Sequence, residues 1–217
     1  VELAGQGIDT VNITLSTGLT ATFSNIELIN GNSGIDTITL GTAATSAIID
    51  LKEGVDKLTL SALGNNSLTL SNIETVIGNI KNDTVTIATA LLSTATNTID
   101  LGAGTDSLTL ANNTNTATIK NTENITGGTG ADTITLGVAL ANGVINLGDG
   151  TDTLAITGTN SLTVSNIETI NGSKLNDALT FKTAINGLTI DLGLGTDKLI
   201  LATGDNTLAL SNIESIM

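Results

Sequence analysis

Nine short turns that end in aspartate punctuate the chain, and they constrain its fold more than any other feature. The turn aspartates are Asp9, Asp36, Asp56, Asp83, Asp106, Asp132, Asp152, Asp177 and Asp197. Their separations alternate between long and short within 20 to 27 residues, so the underlying repeat is a pair of about 47 residues. Such repetition is typical of a solenoid, in which each repeat packs on its neighbours.

Alternation of apolar and polar residues follows each turn and indicates β-strands. Residues 37–40 read Thr-Ile-Thr-Leu, residues 57–60 read Lys-Leu-Thr-Leu, and residues 67–70 read Ser-Leu-Thr-Leu. A period of two places alternate side chains on one face of a strand, and no window shows a sustained helical period. The side chains predicted to point inward are Ile38, Leu40, Leu58, Leu60, Leu68, Leu70 and their equivalents.

The spacing of the strands favours a coil over an open sheet. Neighbouring copies of the turn and strand motif are expected to run in the same direction, and the segments between them leave no room for a crossover helix. We therefore predict an all-β, right-handed parallel β-solenoid (β-helix or β-roll) with about nine rungs of 20–27 residues, paired into the repeats of about 47 residues. Each rung is expected to have two or three sheet faces, and the turn aspartates are expected to line a single edge. Residues 1–217 are expected to form one domain of a larger protein, since both ends fall inside a repeat.

A second recurring segment marks the other bend of each repeat. Ser-Asn-Ile-Glu occurs at residues 24–27, 71–74, 165–168 and 211–214, while the third repeat has Lys-Asn-Thr-Glu at 120–123. Asparagine tolerates the left-handed backbone conformation, so we predict corner residues at Asn25, Asn72, Asn121, Asn166 and Asn212. The glutamates beside them are expected to face water. Asp50, Asp100 and Asp191, each six residues before a turn aspartate, are expected to be solvated strand residues; the alternative is that they add to the negative field of the turn aspartates.

Composition excludes several functions. The chain has 7 Lys plus Arg against 21 Asp plus Glu, a formal net charge of −14, so a nucleic-acid partner is not expected. No apolar run is long enough for a transmembrane helix. Cysteine and histidine are absent and every cation is lysine, which removes the usual thiolate nucleophile, imidazole base and arginine clamp. Catalysis is therefore not expected, and no catalytic residue is assigned.

Nine stacked carboxylates require an explanation of their own. Two unit charges 4.8 Å apart repel by about 1 kcal/mol in water and by roughly 3 to 4 kcal/mol at an effective dielectric constant of 20. A bound cation would offset this repulsion. So would capping of each carboxylate by backbone N–H groups of its own turn, with the free oxygens splayed into water.

One stretch matches a known repeat in full. Residues 127–135 read Gly-Gly-Thr-Gly-Ala-Asp-Thr-Ile-Thr, which fits the nonapeptide G-G-x-G-x-D-x-U-x of calcium-binding parallel β-helices. The chain thus resembles the RTX (repeats-in-toxin) type of secreted and cell-surface bacterial protein. The resemblance implies Ca²⁺ as a cofactor, with all nine turn aspartates as metal ligands shared between rungs and Asp106, Asp132 and Asp152 the best candidates.

Other turns depart from this motif. The turns before Asp83 and Asp177 lack its fourth-position glycine and carry Lys81 and Lys174, and the turn before Asp56 keeps one glycine, Gly54. These departures favour capping without metal at those turns. Each rung also carries one copy of the motif, whereas the family repeats it every nine residues.

Repetition without a unique site favours a structural function. We expect an extracellular module of a bacterial surface protein, such as a surface-layer, filament or adhesin-stalk element, that is calcium-stabilised and associates with itself end to end or laterally. The alternative is an adhesin module that binds ice or a glycan, since Thr-x-Thr segments recur at 37–39, 84–86 and 133–135. A polysaccharide-acting enzyme is the least favoured reading, because nothing breaks the repeat at one place.

Overall fold

Twenty-three parallel strands in two sheets make up the fold in a computed structural model, which describes residues 7–92 and 96–217. Successive strands alternate between the sheets, so one turn of the coil contributes one strand to each. We call the sheet of odd-numbered strands the odd sheet and the other the even sheet. The predicted all-β, parallel solenoid is confirmed, with two sheet faces and no helix among the described residues.

The odd sheet has 12 strands and the even sheet has 11. The odd strands are β1 (Thr10–Asn12), β3 (Leu28–Asn32), β5 (Thr45–Lys52), β7 (Ser67–Ser71), β9 (Thr84–Ile87), β11 (Ser107–Thr109), β13 (Asn124–Gly128), β15 (Ala141–Gly148), β17 (Ser161–Ser165), β19 (Ala178–Phe181), β21 (Lys198–Ile200) and β23 (Ser215–Ile216). The even strands are β2 (Thr20–Phe23), β4 (Thr37–Leu40), β6 (Lys57–Thr59), β8 (Thr75–Asn79), β10 (Thr98–Gly102), β12 (Thr116–Lys120), β14 (Thr133–Leu136), β16 (Thr153–Ala155), β18 (Thr169–Ser173), β20 (Asn186–Gly193) and β22 (Thr207–Ser211).

The turns of the coil are shorter and more numerous than the nine rungs expected. In-register partners are 16 residues apart where Thr153 pairs with Thr169, and 23 apart where Thr84 pairs with Ser107. The stretch from Asp9 to Asp36 contains three strands, β1 to β3, and is therefore one and a half turns. Counting rungs by aspartate alone missed the turns that end in other residues.

Each repeat contains five strands, which is an odd number. Strands of matching sequence recur as β4, β9, β14 and β19, and these alternate between the even and odd sheets. Because one turn uses two strands, a repeat advances the coil by two and a half turns. Consecutive repeats therefore begin on opposite sides of the solenoid.

The core lies between the sheets and is aliphatic along its whole length. The inward side chains predicted from the alternation, Ile38, Leu40, Leu58, Leu60, Leu68 and Leu70, are all buried. They stack in register: Ile38 pairs with Leu58 across β4 and β6, and Leu58 pairs with Val76 of β8. Burying one such side chain contributes about 1.5 to 3 kcal/mol, so repetition of this contact supplies most of the stability.

The predicted asparagine corners are confirmed by the backbone. Asn25, Asn72, Asn121, Asn166 and Asn212 have φ between 48° and 55°, in the left-handed region. The side chains of Asn72, Asn121, Asn166 and Asn212 also reach the previous turn. The Nδ2 group of Asn166 donates to Asn146, and those of Asn72, Asn121 and Asn212 donate to Asp50, Asp100 and Asp191, all over 2.7 Å. These aspartates were expected to be merely solvated, and the structure makes them corner acceptors.

Candidate functional site

The turn aspartates were expected to line a single edge of the solenoid. The structure divides them between two edges instead. We call the side where turns lead into odd strands the odd edge, and the opposite side the even edge. Asp9, Asp83, Asp106, Asp177 and Asp197 precede odd strands, whereas Asp36, Asp56, Asp132 and Asp152 precede even strands. The five-strand repeat causes this split, since each new repeat starts on the other edge.

Backbone amides and aspartate side chains form a ladder along each edge. The N–H of Asp36 donates to Oδ1 of Asp56 in the next turn over 2.7 Å. The pairs Asp83 and Asp106, Asp132 and Asp152, and Asp177 and Asp197 repeat this bond at 2.7 Å. Each carboxylate thus caps the turn before it, whereas capping without metal was expected to come from its own turn.

A glutamate closes every ladder. The N–H groups of Asp9, Asp56, Asp106, Asp152 and Asp197 donate to Oε2 of Glu27, Glu74, Glu123, Glu168 and Glu214, over 2.7 to 2.9 Å. These glutamates were expected to face water. That expectation was wrong for one oxygen of each, because a glutamate reaches the amide that an aspartate caps elsewhere.

An asparagine opens the complete ladders, and sequence reasoning missed it. Asn66, Asn115 and Asn160 are buried, and their Nδ2 groups donate to Oδ1 of Asp83, Asp132 and Asp177 over 2.8 to 3.0 Å. Their Oδ1 atoms accept the N–H groups of Ala44, Leu91 and Leu140 in the preceding turn. The signal in the sequence is a constant interval of 17 residues from asparagine to aspartate.

The order Asn-Asp-Asp-Glu therefore repeats along both edges. An apolar residue then interrupts it, namely Ala44 or Leu140 on the odd edge and Leu91 or Ile185 on the even edge. These residues donate their N–H groups to the next asparagine. The ladder is continuous for four turns and then restarts.

One oxygen in most of the aspartates has no protein partner. The Oδ2 atoms of Asp36, Asp56, Asp83, Asp106, Asp132, Asp152 and Asp197 are buried without a hydrogen bond. Asp177 differs, because its Oδ2 accepts the Ser173 hydroxyl at 3.4 Å. Leaving a buried polar atom unsatisfied costs about 1 to 3 kcal/mol, and more when it is charged. A proton, a water molecule or a cation is needed at these oxygens.

Burial makes several of these carboxylates hard to ionise. It raises the pKa of Asp56 to about 6, aided by repulsion from Asp36 and Glu74 and opposed by the Asp36 N–H. Burial likewise raises the pKa of Asp106 to about 6, with Asp83 and Glu123 in the corresponding roles. The pKa values of Asp132, Asp152 and Asp197 are also raised, chiefly by burial.

The turns that hold these carboxylates are packed too closely for side chains at two glycines. A Cβ on Gly150 would lie 2.6 Å from the carbonyl oxygen of Gly130 and 2.8 Å from Oδ1 of Asp152. A Cβ on Gly127 would lie 2.1 Å from the carbonyl oxygen of Leu147. Glycine here brings backbone carbonyls and carboxylates of consecutive turns together, which are the oxygen ligands that Ca²⁺ takes.

Carboxylates alone do not form a metal cluster. Within residues 7–92 and 96–217, no group of three or more His, Cys, Asp or Glu is arranged to hold a metal ion. A cation at the ladder would therefore take most of its ligands from turn carbonyls. The fit is best between the turns of Asp132 and Asp152, where Asp149 adds a third charge that raises the pKa of Asp152.

The two edges differ in their exposed turns. On the odd edge, Lys81 and Lys174 lie in the turns before Asp83 and Asp177. On the even edge the corresponding turns before Asp36 and Asp132 carry Gly34 and Gly130 instead. The turns before Asp36 and Asp132 are therefore better suited to a cation than the turns before Asp83 and Asp177.

No protein-family model, curated protein or solved structure matches the chain. The described residues include no helix long and apolar enough to cross a membrane.

Proposed function

We propose that the chain is a structural repeat module of an extracellular bacterial surface protein, of the surface-layer, filament or adhesin-stalk kind. The observation that carries this proposal is the recurrence of the four-turn ladder, over one continuous aliphatic core, from one end of the described residues to the other. The same bonds recur from Asp9 near one end to Glu214 near the other. A continuous rod of this kind is suited to act as a spacer. The resemblance of residues 127–135 to the RTX repeat supports a location at the bacterial surface.

Calcium is the cofactor that we propose for this module. The support is chemical: the Oδ2 atoms are buried without hydrogen-bond partners, and a hard divalent cation, which prefers oxygen ligands, would satisfy them. Asp132 and Asp152 are the ligands that we favour, with the remaining turn aspartates as weaker candidates. A chain exported unfolded would then gain stability on meeting calcium outside the cell, because binding to the folded state alone stabilises it by mass action.

A thermal melt with calcium and with excess chelator, followed by circular dichroism, tests the cofactor. We expect a higher Tm in calcium, and we expect Asp152→Asn to remove most of that increase. Asp205→Asn is the matched control, because Asp205 is exposed and lies outside the ladders. Equal Tm values with and without calcium would leave the solenoid intact and dismiss the metal.

An ice-binding or glycan-binding function is the second candidate, and one observation favours it. The Thr-x-Thr segments of β4, β9 and β14 lie in alternate sheets, but other threonines fill the gaps. Thr116, Thr133, Thr153, Thr169 and Thr189 pair in five consecutive turns of the even sheet. Measurable thermal hysteresis that Thr133→Lys abolishes would establish ice binding, and its absence in the unmodified chain would exclude it.

A further inference from the structure

Four asparagines of the chain are followed directly by glycine, which makes them candidates for a reaction with their own backbone. They are Asn30, Asn142, Asn171 and Asn186. In such a pair the glycine nitrogen can attack the amide carbon of the asparagine side chain, because glycine has no Cβ to obstruct the approach. The two atoms must come within about 3 to 3.5 Å in the correct orientation, which requires the backbone to rotate. The surrounding structure therefore decides which pairs react.

Two of the four pairs lie in regular strands. Asn30 in β3 and Asn171 in β18 pair in register with the strands on both sides. The glycines that follow them are packed against the next turn, where a Cβ would lie 2.2 to 2.3 Å from a backbone carbonyl oxygen. The side chain of Asn30 is also held, since its Nδ2 group donates to Asn12. Neither pair has room to rotate.

The other two pairs lie at β-bulges, where β15 and β20 each carry one extra residue relative to the strand of the next turn. In β15 the extra residue is Asn142, and the attacking nitrogen would belong to Gly143, which pairs with the next strand and is buried. In β20 the extra residue is Gly187, between the paired residues Asn186 and Leu188. At this pair it is the glycine, which supplies the attacking nitrogen, that lies outside the register.

The space around the two bulge glycines differs in the same sense. A Cβ on Gly143 would lie 2.4 Å from a methyl carbon of Leu140, whereas a Cβ on Gly187 would have no atom within 4 Å beyond its chain neighbours. Gly187 has φ of 82° and is exposed, as is Asn186. Of the four pairs, this one alone combines exposure of both residues with room for the backbone to rotate.

We propose that Asn186 is a site of spontaneous deamidation in the folded chain, whereas Asn30, Asn142 and Asn171 are protected. The backbone nitrogen of Gly187 forms a bond to Cγ of Asn186, and the bond from Cγ to Nδ2 breaks. The proton of the Gly187 N–H passes through solvent to the departing nitrogen, which leaves as ammonia. Water then opens the resulting succinimide ring at either carbonyl, which yields aspartate or isoaspartate. Water is the only other reactant.

The product changes the charge of the surface and leaves the fold in place. Asn186 lines a recess together with Asn166 and Glu168, so a second carboxylate appears beside that of the glutamate. It adds one negative charge to the net charge of −14. The open space at Gly187 accommodates the longer backbone of isoaspartate. The modification goes beyond the structural role proposed above and depends neither on calcium nor on association.

Mass spectrometry of the chain during incubation at mildly alkaline pH measures the rate at each site. Cleavage after lysine releases residues 183–198, in which Asn186 is the only asparagine, and fragmentation of the other peptides resolves the remaining sites. The same chain in concentrated guanidinium chloride gives the rate of each pair without structure. We expect Asn186 to react in the folded chain within about threefold of its unfolded rate, and the other three to be slowed at least tenfold, the equivalent of 1.4 kcal/mol.

Asn142 is the matched control within the same molecule, because it precedes glycine at the equivalent bulge. Asn186→Gln is the control variant, since its longer side chain cannot close the five-membered ring, and residues 183–198 should then gain no mass. Labelling by an isoaspartate-specific methyltransferase should mark position 186 in the unmodified sequence. Protection of Asn186 equal to that of Asn30, or a folded-state rate at Asn142 that matches Asn186, overturns the assignment. A mass gain without isoaspartate overturns the ring-closing route.

Discussion

Lys52 adopts a left-handed backbone conformation at a position where the other repeats have glycine. Lys52 has φ of 72°, whereas the equivalent Gly102, Gly148 and Gly193 have φ between 85° and 92°. A left-handed conformation costs a residue with a Cβ about 1 to 2 kcal/mol. The ion pair of Lys52 with Asp50 is exposed and contributes little in return.

Lys52→Gly is therefore expected to stabilise the chain by about 0.5 to 1 kcal/mol, because it removes the strain and loses only an exposed ion pair. Urea unfolding followed by circular dichroism measures the difference. Lys57→Gly, in a strand without strain, is the control and should destabilise. A loss of stability in Lys52→Gly would show that the ion pair outweighs the strain.

The asparagine corners separate backbone conformation from hydrogen bonding. Asn72 has φ of 53° and donates to Asp50 over 2.7 Å. Asn72→Ala loses both favourable features and is expected to cost about 2 kcal/mol, whereas Asn72→Gly keeps the conformation and should cost about 1 kcal/mol. Equal losses in urea unfolding would mean that the hydrogen bond alone matters.

At the scale of the strand and its turn, stacked carboxylates set the response to pH. Asp56 and Asp106 have pKa values of about 6 in the folded chain, against an ordinary value of 3.8. The folded state thus holds protons that the unfolded state releases in this range. The resulting stabilisation is complete below pH 3.8 and is lost as the pH rises through about 6.

In calcium-free buffer, the Tm is therefore expected to rise by several degrees when the pH falls from 7 to 5. This is opposite to the usual acid response, in which folded-state carboxyl pKa values are lowered. The double variant Asp56→Asn with Asp106→Asn should flatten the profile, since an amide stays neutral while its oxygen still accepts the N–H of Asp36 or Asp83. A Tm that falls on acidification would contradict the proposed protonation.

The strands were predictable from sequence because their determinants are local. The alternation around Ile38 and Leu58 specifies which side chains point inward, and the corner conformation of Asn72 follows from its own side chain. The edges were not predictable in the same way. The odd edge carries Glu27, Asn66 and Asp83, which have three different side chains. Counting only aspartates therefore identified one of these three edge residues.

The ladder partners depend on contacts between turns. The number of strands per turn decides whether the backbone N–H of Asp56 donates to Asp36, Asp83 or Glu74. No single residue specifies that number. The constant interval of 17 residues between Asn66 and Asp83 was visible in the sequence. It acquires a meaning only when one turn of the coil is known to have that length.

The architecture of the whole molecule depends on two numbers: each repeat has five strands, whereas each turn of the coil has two. Deleting residues 84–132 removes one complete repeat and joins Asp83 to Thr133, so every ladder keeps its order of partners. Deleting only residues 124–132 removes β13 and one turn and joins Glu123 to Thr133. The strands that follow would then meet partners of the wrong kind in the wrong sheet.

We therefore expect the larger deletion to fold cooperatively with a modest loss of Tm, and the smaller deletion to unfold in part or in whole. Circular dichroism and urea unfolding of both variants provide the comparison. Tolerance of both deletions would mean that the sheets accept strands without regard to their type.

The half-integral advance of each repeat has a further consequence for how such a chain diversifies. Duplicating one repeat adds a copy in which each turn lies on the edge opposite to that of its counterpart in the original. A given position of the repeat therefore returns to the same side only in every second unit. The turns before Asp83 and Asp177 contain Lys81 and Lys174, whereas the corresponding turns before Asp36 and Asp132 contain no lysine, which follows that two-unit rhythm.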